Sequence, residues 1–191
     1  MDVCAAPGGK SLMIAELGKV DSLYLNDVSR HRIKRIQENI QRTGISPSAI
    51  LQSDGEKLPF DKHHFDTVLI DAPCSSTGTI QKNPDIKWTA SEETLLKHLE
   101  LQRQLLDEGA RILKPGGTLI YSTCSLEEEE NQNQVESFLA RHTGFFMKKR
   151  PSDSAFFELD DWTNEDHSFF QILTGPKWGG FFGAAIYSDH A

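Results

Sequence analysis

Apolar runs alternate with segments of helical apolar spacing along most of the chain, which predicts strands separated by helices. The clearest strand lies at residues 65–70 (FDTVLI), a β-branched and aliphatic run that stops abruptly at Asp71. The same pattern predicts the tail of a first strand at 2–4 and further strands at 22–27, 49–52 and 118–123, with weaker candidates at 145–149 and 183–187.

End signals predict the helices that connect these strands. Ser29 is a predicted N-cap and Gly44 a predicted stop for a helix in which Ile33, Ile36 and Ile40 recur at helical spacing. A shorter helix is predicted at 11–17, directly after a tight glycine turn.

Two capping boxes predict the remaining helices. Thr89 with Glu92 would begin a long helix that the segment 114–117 breaks, and Ser125 with Glu128 would begin a helix to about residue 142. The long helix is expected to bury a leucine stripe made of Leu95, Leu99, Leu106 and Leu113.

Strands that alternate with helices imply right-handed βαβ units in a mostly parallel sheet with helices on both faces. The sequence therefore predicts a single α/β domain over residues 1–191. In such sheets ligands bind at the carboxyl ends of the strands. Five residues are predicted at or just past such ends, which makes this edge the candidate site: Asp27, Asp54, Asp71, Cys74 and Cys124.

The charge and composition of the chain limit which binding partners are expected. With 20 basic and 28 acidic residues the formal net charge is −8, which argues against non-specific binding to nucleic acid. Any RNA contact must be local, and basic residues gather at 30–35, at 82 and 87, and at 148–150, although such groups more often belong to a solvated helix face or strand end. The absence of a long apolar run or signal-like start favours a cytoplasmic protein without a membrane partner.

The three cysteines are far apart and form no CxxC pair, so neither a disulfide framework nor a metal site is predicted. If the strands before Cys74 and Cys124 are neighbours, their ends lie about 5 Å apart and the two thiols can converge. A buried structural cysteine is the alternative for each. A helix start after Cys124 favours its thiolate, whereas the glutamates at 127–130 oppose it, so the direction of its pKa shift stays open.

The glycine turn at residues 6–10 is neither a dinucleotide fingerprint nor a P-loop. Asp27 lies 18 residues past Gly9, about where an acid at a second strand end meets ribose hydroxyls. An adenosine-containing ligand without a pyrophosphate fits this arrangement, and a turn needed only for its backbone angles is the alternative. His63 and His64 are predicted in a surface loop. Trp88 is either a loop anchor or a base-stacking residue.

Three motifs in this order resemble those of the RNA (cytosine-5) methyltransferases: residues 2–10 (DVCAAPGGK), 71–78 (DAPCSSTG) and 122–125 (STCS). The string at 83–88 (NPDIKW) is similar to that of the RsmB-type branch, which modifies small-subunit rRNA. The resemblance covers nearly the whole chain. It implies a Rossmann-like, S-adenosylmethionine-dependent methyltransferase fold with a mostly parallel seven-stranded sheet, and 5-methylcytosine in RNA as the product.

The resemblance also assigns roles to residues. Cys124 would add to C6 of the cytosine, Cys74 would assist loss of the C5 proton and release of the enzyme, and Asp71 would hydrogen-bond the base near N3. Asp27 would hold the ribose hydroxyls and Asp54 the adenine edge. The full set of expected S-adenosylmethionine contacts is Cys4, Ala5, Ala6, Pro7, Gly8, Gly9, Lys10, Asp27, Arg32, Asp54 and Asp71, with no metal.

One departure concerns the start of the chain. The family has an apolar run before the position of Asp2, which completes a central strand, and RNA-binding domains further upstream. We therefore expect a catalytic domain with a truncated first strand and without the N-terminal RNA-binding region. About three missing aliphatic side chains at roughly 1.5–3 kcal/mol each would remove ~5–9 kcal/mol, so low stability or weak RNA binding alone is expected.

Two other functions remain open from the sequence. A cofactor-binding fragment without turnover would result if RNA recognition depends on the missing domains. A DNA (cytosine-5) methyltransferase would use the cysteine after Pro73, which is Cys74, as its nucleophile, and that leaves Cys124 without a role.

Overall fold

The computed structural model describes residues 1–18, 20–148, 169–175 and 179–190. Within them the helices are α1 (Gly9–Glu16), α2 (Arg30–Thr43), α3 (Ile86–Thr89), α4 (Glu92–Ile112) and α5 (Gln132–Arg141). Two short 3-10 helices lie at Thr77–Thr79 and Glu128–Glu130. The strands are β1 (Tyr24–Asn26), β2 (Ala49–Leu51), β3 (Phe65–Asp71), β4 (Leu113–Thr123), β5 (Phe145–Met147), β6 (Phe169–Ile172) and β7 (Phe181–Ser188).

Asp2 joins the two parts of the sheet. It forms isolated parallel bridges to Leu25 in β1 and to Leu69 in β3. The Asp2 N–H donates to the Tyr24 carbonyl at 2.8 Å, and the Val3 N–H donates to the Leu69 carbonyl at 2.9 Å. The predicted strand tail at 2–4 is thus a single bridged position at the centre of the sheet, between β1 and β3.

The strand order is β2, β1, the Asp2 bridge, β3, β4, β7 and β5, with β6 also paired to β7. The pairs β1/β2 and β3/β4 are parallel, whereas β7 is antiparallel to β4, β5 and β6. The predicted α/β fold is confirmed. The sheet is mixed because β7 runs against its neighbours, and β6 was not predicted.

The predicted ends of α2 are confirmed. The Ser29 side chain accepts a hydrogen bond from the Arg32 N–H, and Gly44 ends the helix with a φ of 72°. That left-handed angle is easy for glycine and costly for other residues. Ile36 is fully buried, and Ile33 and Ile40 pack beside it against Leu25 of β1. This packing fixes the end of β1, and with it Asp27, at the carboxyl edge.

Both predicted capping boxes are wrong. Thr89 belongs to the short helix α3, and α4 is capped by Ser91, whose Oγ accepts from the Thr94 N–H at 3.2 Å. Ser125 instead accepts from the Glu127 N–H in a tight turn, and α5 begins only at residue 132. Ser91, which directly precedes α4, caps that helix in place of Thr89. The 3-10 helix Glu128–Glu130 lies between Ser125 and the start of α5.

The predicted leucine stripe is only partly right. Leu106 is fully buried, whereas Leu95 and Leu99 are half-buried and Leu113 lies in β4. β4 starts earlier than predicted, at the residue that follows α4. The core consists of aliphatic and aromatic side chains of α4, α5 and the central strands, and its largest members include Tyr121, Phe138, Phe182, Leu105, Leu106 and Ile70.

Two predicted features extend beyond the described residues: the basic residues Lys149 and Arg150, and the end of the strand predicted at 145–149. The described helices include none that is long and apolar enough to cross a membrane. Among the described side chains there is no cluster of three or more His, Cys, Asp or Glu residues suited to a metal ion.

Candidate active site

The site is built on the aligned carboxyl ends of β3 and β4. Asp71 pairs in register with Ser122, and the Ala72 N–H donates to the Ser122 carbonyl at 2.8 Å. The chain after each strand end then carries a cysteine. Cys74 Sγ lies 3.4 Å from Cys124 Sγ, so the predicted convergence of the two thiols is present in the structure.

The environment of the two thiols separates their protonation states. The hydrogen bond from Cys74, helped by the Ser76 hydroxyl at 3.3 Å, outweighs burial and lowers the pKa of Cys124 to about 6. The same hydrogen bond, together with burial, raises the pKa of Cys74. Near neutral pH, Cys124 is therefore the thiolate and Cys74 the thiol, which resolves the direction that the sequence left open.

This pair gives a pH-dependent prediction for the free protein. Because a folded-state pKa of about 6 is below the usual value of about 8.5, the Cys124 thiolate should react with iodoacetamide down to about pH 6. Cys74→Ala removes the donor and should move the midpoint of alkylation up by at least about one unit. Peptide mass spectrometry across pH measures this, and Cys4→Ala is the control with an unchanged Cys124 profile. An unshifted midpoint in Cys74→Ala would contradict the thiol hydrogen bond.

Asp71 and Lys10 form an ion pair beside the thiols. Lys10 Nζ lies 2.6 Å from Asp71 Oδ2, and Ser122 Oγ donates to Asp71 Oδ1 at 2.9 Å. The Lys10 and Asp71 side chains keep 39% and 34% of their surface exposed, so a ligand can reach both. Lys10 Nζ also lies 5.2 Å from the centroid of the Phe181 ring. The pair presents a cation and a carboxylate at one place.

The glycine turn is held against the end of β1. The Ala5 N–H donates to the Asn26 carbonyl at 2.8 Å, and the Ala6 N–H donates to Asp27 Oδ2 at 3.3 Å. Gly8 has a φ of 99°, which disfavours any side chain, and Gly9 has open space where a Cβ would stand. The turn thus leaves backbone uncovered next to Asp27.

Asp27 is a buried carboxylate with three partners in the described residues. Ser29 N–H donates to Oδ1 at 2.9 Å, an Arg32 guanidinium nitrogen lies 3.1 Å from Oδ1, and Ala6 N–H donates to Oδ2. A carboxylate accepts about four hydrogen bonds, so Oδ2 retains a free acceptor position. The structure therefore brings together the predicted residues Asp27 and Arg32 and the glycine turn.

Asp54, unlike Asp27, is not hydrogen-bonded to the other predicted cofactor contacts among the described residues. It is exposed, and its Oδ1 accepts from the Glu56 N–H at 3.0 Å. It follows β2, the neighbour of β1, so it shares the carboxyl edge with Asp27, but no hydrogen bond between Asp54 and the glycine turn is present in the described residues. Cys4 is half-buried in the segment after Asp2, and its environment, led by desolvation, raises its pKa, so its thiol is less reactive than an ordinary cysteine.

Sequence reasoning missed two buried polar residues that shape the cofactor side. Asn26 Nδ2 donates to the Val3 and Ser53 carbonyls at 3.0 and 3.1 Å, which joins three adjacent segments of the sheet. Asp2 Oδ2 accepts from Ser11 Oγ, its Oδ1 has no partner, and burial raises the pKa of Asp2 to about 6. An asparagine at the end of an apolar strand was the available signal for the first.

Two minor predictions are also resolved. His63 is a loop residue whose Nδ1 lies 3.0 Å from the Leu113 carbonyl oxygen, and His64 packs on Phe65. Trp88 lies in the short helix α3 and is 86% exposed, so it does not anchor a loop, and base stacking stays a prediction.

The chain is similar to known proteins over nearly its whole length. The 16S rRNA methyltransferase RsmB/F family matches residues 1–186. Ribosomal RNA small subunit methyltransferase B of Salmonella arizonae is 42% identical over 190 residues, which cover 97% of this chain and 41% of that protein. The chain spans about a third to two-fifths of the length of such curated relatives.

Solved structures give the same result. The crystal structure of PH0851 superposes with a TM-score of 0.85 at 36% identity, over 97% of this chain and 41% of the other. The structure of NSun6 from Pyrococcus horikoshii with SFG superposes with a TM-score of 0.82 at 29% identity, over 98% and 47%. From its fold and its near-complete family match, the chain belongs to the RsmB/F methyltransferase family.

Proposed function

We propose that this chain transfers a methyl group from S-adenosylmethionine to C5 of a cytosine in small-subunit rRNA. The observation that carries the proposal is the thiol pair, in which Cys124 Sγ lies 3.4 Å from Cys74 Sγ at the strand ends beside Asp71. The lowered pKa of Cys124 and the raised pKa of Cys74 support it. The family match and the names of the relatives support the substrate class. With that substrate, the proposed reaction takes place in the cytoplasm.

The residues on the cofactor side fit S-adenosylmethionine. The turn before α1 leaves backbone uncovered at Gly9, and the buried Asp27 carboxylate retains an acceptor position for a hydroxyl group. Residues 4–10 would surround the methionine portion, Asp27 with Arg32 would hold the ribose, and the exposed Asp54 would face the adenine. When bound, this cofactor supplies an electrophilic methyl group on a sulfonium centre. A related structure contains SFG, an analogue of the cofactor.

Cys124 begins the proposed reaction. Cytosine C5 is a poor nucleophile, but addition of a thiolate to C6 pushes the electrons of the C5–C6 double bond towards C5 and the ring nitrogen N3. A pKa of about 6 keeps Cys124 in the reactive form without a separate base. Asp71 would hydrogen-bond the base near N3. The Lys10 ammonium, whose Nζ lies 2.6 Å from Asp71 Oδ2, would counter the negative charge that develops on the ring.

Cys74 completes the proposed reaction. After C5 gains the methyl group it still carries its hydrogen, which must leave as a proton before the C6–S bond can break and return the Cys124 thiolate. The raised pKa of Cys74 keeps that group protonated during addition, so it does not compete as a nucleophile. Once the Cys124 sulfur is bonded to C6 it no longer holds the Cys74 proton, so Cys74 would lose that proton to solvent. The Cys74 thiolate, which lies 3.4 Å from Cys124 Sγ in the free protein, would then accept the C5 proton while the electrons of the C6–S bond return to Cys124.

The two alternative functions, a DNA methyltransferase and a cofactor-binding fragment, predict different properties of this chain. A DNA (cytosine-5) methyltransferase would need Cys74 as the thiolate, and the pKa of Cys74 is shifted in the opposite direction. A cofactor-binding fragment without turnover would use the same cofactor-side residues but transfer no methyl group to RNA.

A methyl-transfer assay separates these functions. The purified chain is incubated with labelled S-adenosylmethionine and deproteinised small-subunit rRNA, with tRNA and a DNA duplex as comparison substrates, followed by nucleoside analysis. We expect label in 5-methylcytidine from the rRNA. Calorimetric cofactor binding without label in any RNA would instead identify a binding fragment, and label in DNA would contradict the proposed substrate.

A further inference from the structure

Glu130 is a buried titratable group that the proposed reaction does not use. It ends the 3-10 helix Glu128–Glu130 and is fully shielded from solvent, whereas the neighbouring Glu128 and Glu129 are exposed. A buried carboxylate without partners is very costly, so its place in the fold depends on the donors around it.

The donors come largely from the loop that carries Cys74. The Ser75 backbone N–H lies 2.9 and 3.2 Å from the two carboxylate oxygens of Glu130, and Ser75 Oγ donates to Oε2 at 2.5 Å. Gln102 Nε2 donates both to Glu130 Oε1 at 3.0 Å and to the Pro73 carbonyl at 2.9 Å. One carboxylate thus holds both chain neighbours of Cys74, directly or through Gln102.

The same residue is fixed to the element that carries Cys124. Tyr121 OH donates to the Glu130 carbonyl at 2.7 Å, three positions before Cys124 in the chain. Ser75 Oγ also lies 3.0 Å from Ser125 Oγ, on the residue after Cys124. Glu130 therefore links the loop that carries Cys74 to the segment that carries Cys124.

We propose that Glu130 is a positioning residue whose carboxylate sets the distance between the sulfur atoms of Cys74 and Cys124. It acts through Ser75 and Gln102, and no hydrogen bond joins it to either thiol. The inference rests on the proposed function for the use of the thiol pair. The distance between the two sulfur atoms is a property of the free protein, so it is tested without RNA or cofactor.

Removal of the Glu130 carboxylate changes the pKa of Cys124 in opposite directions, depending on whether Glu130 acts by positioning the Cys74 loop or only by its charge. Removal of a nearby negative charge alone favours the thiolate and lowers the pKa of Cys124. Release of the Cys74 loop instead weakens the hydrogen bond from Cys74, which is the largest cause of the lowered pKa, and so raises it. The groups that face the two ends of this network stay unchanged in the test: Cys74, Ser76, Asp71 and Lys10 around Cys124, and His98 and Tyr121 around Glu130.

The test compares Glu130→Gln with Glu129→Gln, an exposed neighbour that loses the same charge. The midpoint of Cys124 alkylation by iodoacetamide is measured by peptide mass spectrometry in the free protein across pH. We expect Glu130→Gln to raise the midpoint by about one unit or more, which slows alkylation about fivefold at pH 6 and about tenfold at pH 5. Glu129→Gln should leave the midpoint within about 0.2 units of the wild type.

An unchanged or lowered midpoint in Glu130→Gln would overturn the proposal. If the unfolding curve of that variant shows that it does not fold, Ser75→Ala decides, because it removes one donor and leaves the carboxylate in place. A smaller rise in the same direction supports the proposal, and no rise overturns it. Failure of methyl transfer in the wild-type chain would count against the proposed function alone, since this readout does not depend on turnover.

Discussion

Cys124→Ala is expected to lower methyl transfer roughly 10³-fold or more, because the variant has no thiolate to activate the cytosine ring. Cys74→Ala is expected to fail at a different step. It should still form the covalent complex with RNA but release it slowly, so that turnover falls while the adduct accumulates. The two variants therefore separate the start of the reaction from its completion.

The measurement is a single-turnover assay with rRNA and S-adenosylmethionine, analysed on a denaturing gel for protein that remains attached to RNA. Because Cys74→Ala also removes the donor that lowers the pKa of Cys124, its addition step should recover as the pH rises towards about 9. Equal loss of adduct in both variants at high pH would contradict the division of roles.

Gly78→Ala is expected to disturb the thiol site through the backbone alone. A Cβ at Gly78 would stand 2.7 Å from the Cys124 carbonyl oxygen and 2.8 Å from the Gly180 Cα, and neither atom can move as a flexible side chain could. The Gly78 N–H also donates to that carbonyl at 3.0 Å. We expect a loss of about 1–3 kcal/mol in the free energy of unfolding, together with a displaced Cys124.

Urea unfolding measures the first effect, and Cys124 alkylation across pH measures the second. Gly144→Ala is the matched control, because Gly144 is exposed and a Cβ there has open space. We expect the control to keep both wild-type values. A Gly78→Ala variant with the stability and the alkylation midpoint of the control would show that the close approach of these two backbone segments is not needed.

The sequence predicted the framework of the site because that framework depends on local signals. Strand β3 is a continuous apolar run that ends at an acid, and α2 has a serine and a glycine at its two ends. Residues that follow such strand ends must lie at one edge of the sheet. Strand-end reasoning therefore places Asp71, Cys74 and Cys124 at one edge, and the pairing of β3 with β4 in the structure brings the two thiols together.

The features that the sequence did not predict depend on tertiary contacts. Glu130 is one of four consecutive glutamates, and nothing in that run distinguishes the one that turns inward to meet Ser75. Ser125 has the sequence pattern of a helix cap, but its hydroxyl lies near Ser75 and Thr77. The direction of the pKa shift of Cys124 depends on a sulfur contact across the sheet, which no local pattern encodes.

The central claim is that Cys124 forms the bond to the cytosine, and trapping tests it most directly. RNA that contains 5-fluorocytidine can accept the thiolate and the methyl group, but the fluorine at C5 cannot leave as a proton, so the enzyme stays attached. Mass spectrometry of the digested complex then identifies the attached peptide. We expect the modified residue to be Cys124, with no trapped complex in Cys124→Ala. Attachment through Cys74, or trapping that persists in Cys124→Ala, would contradict the account.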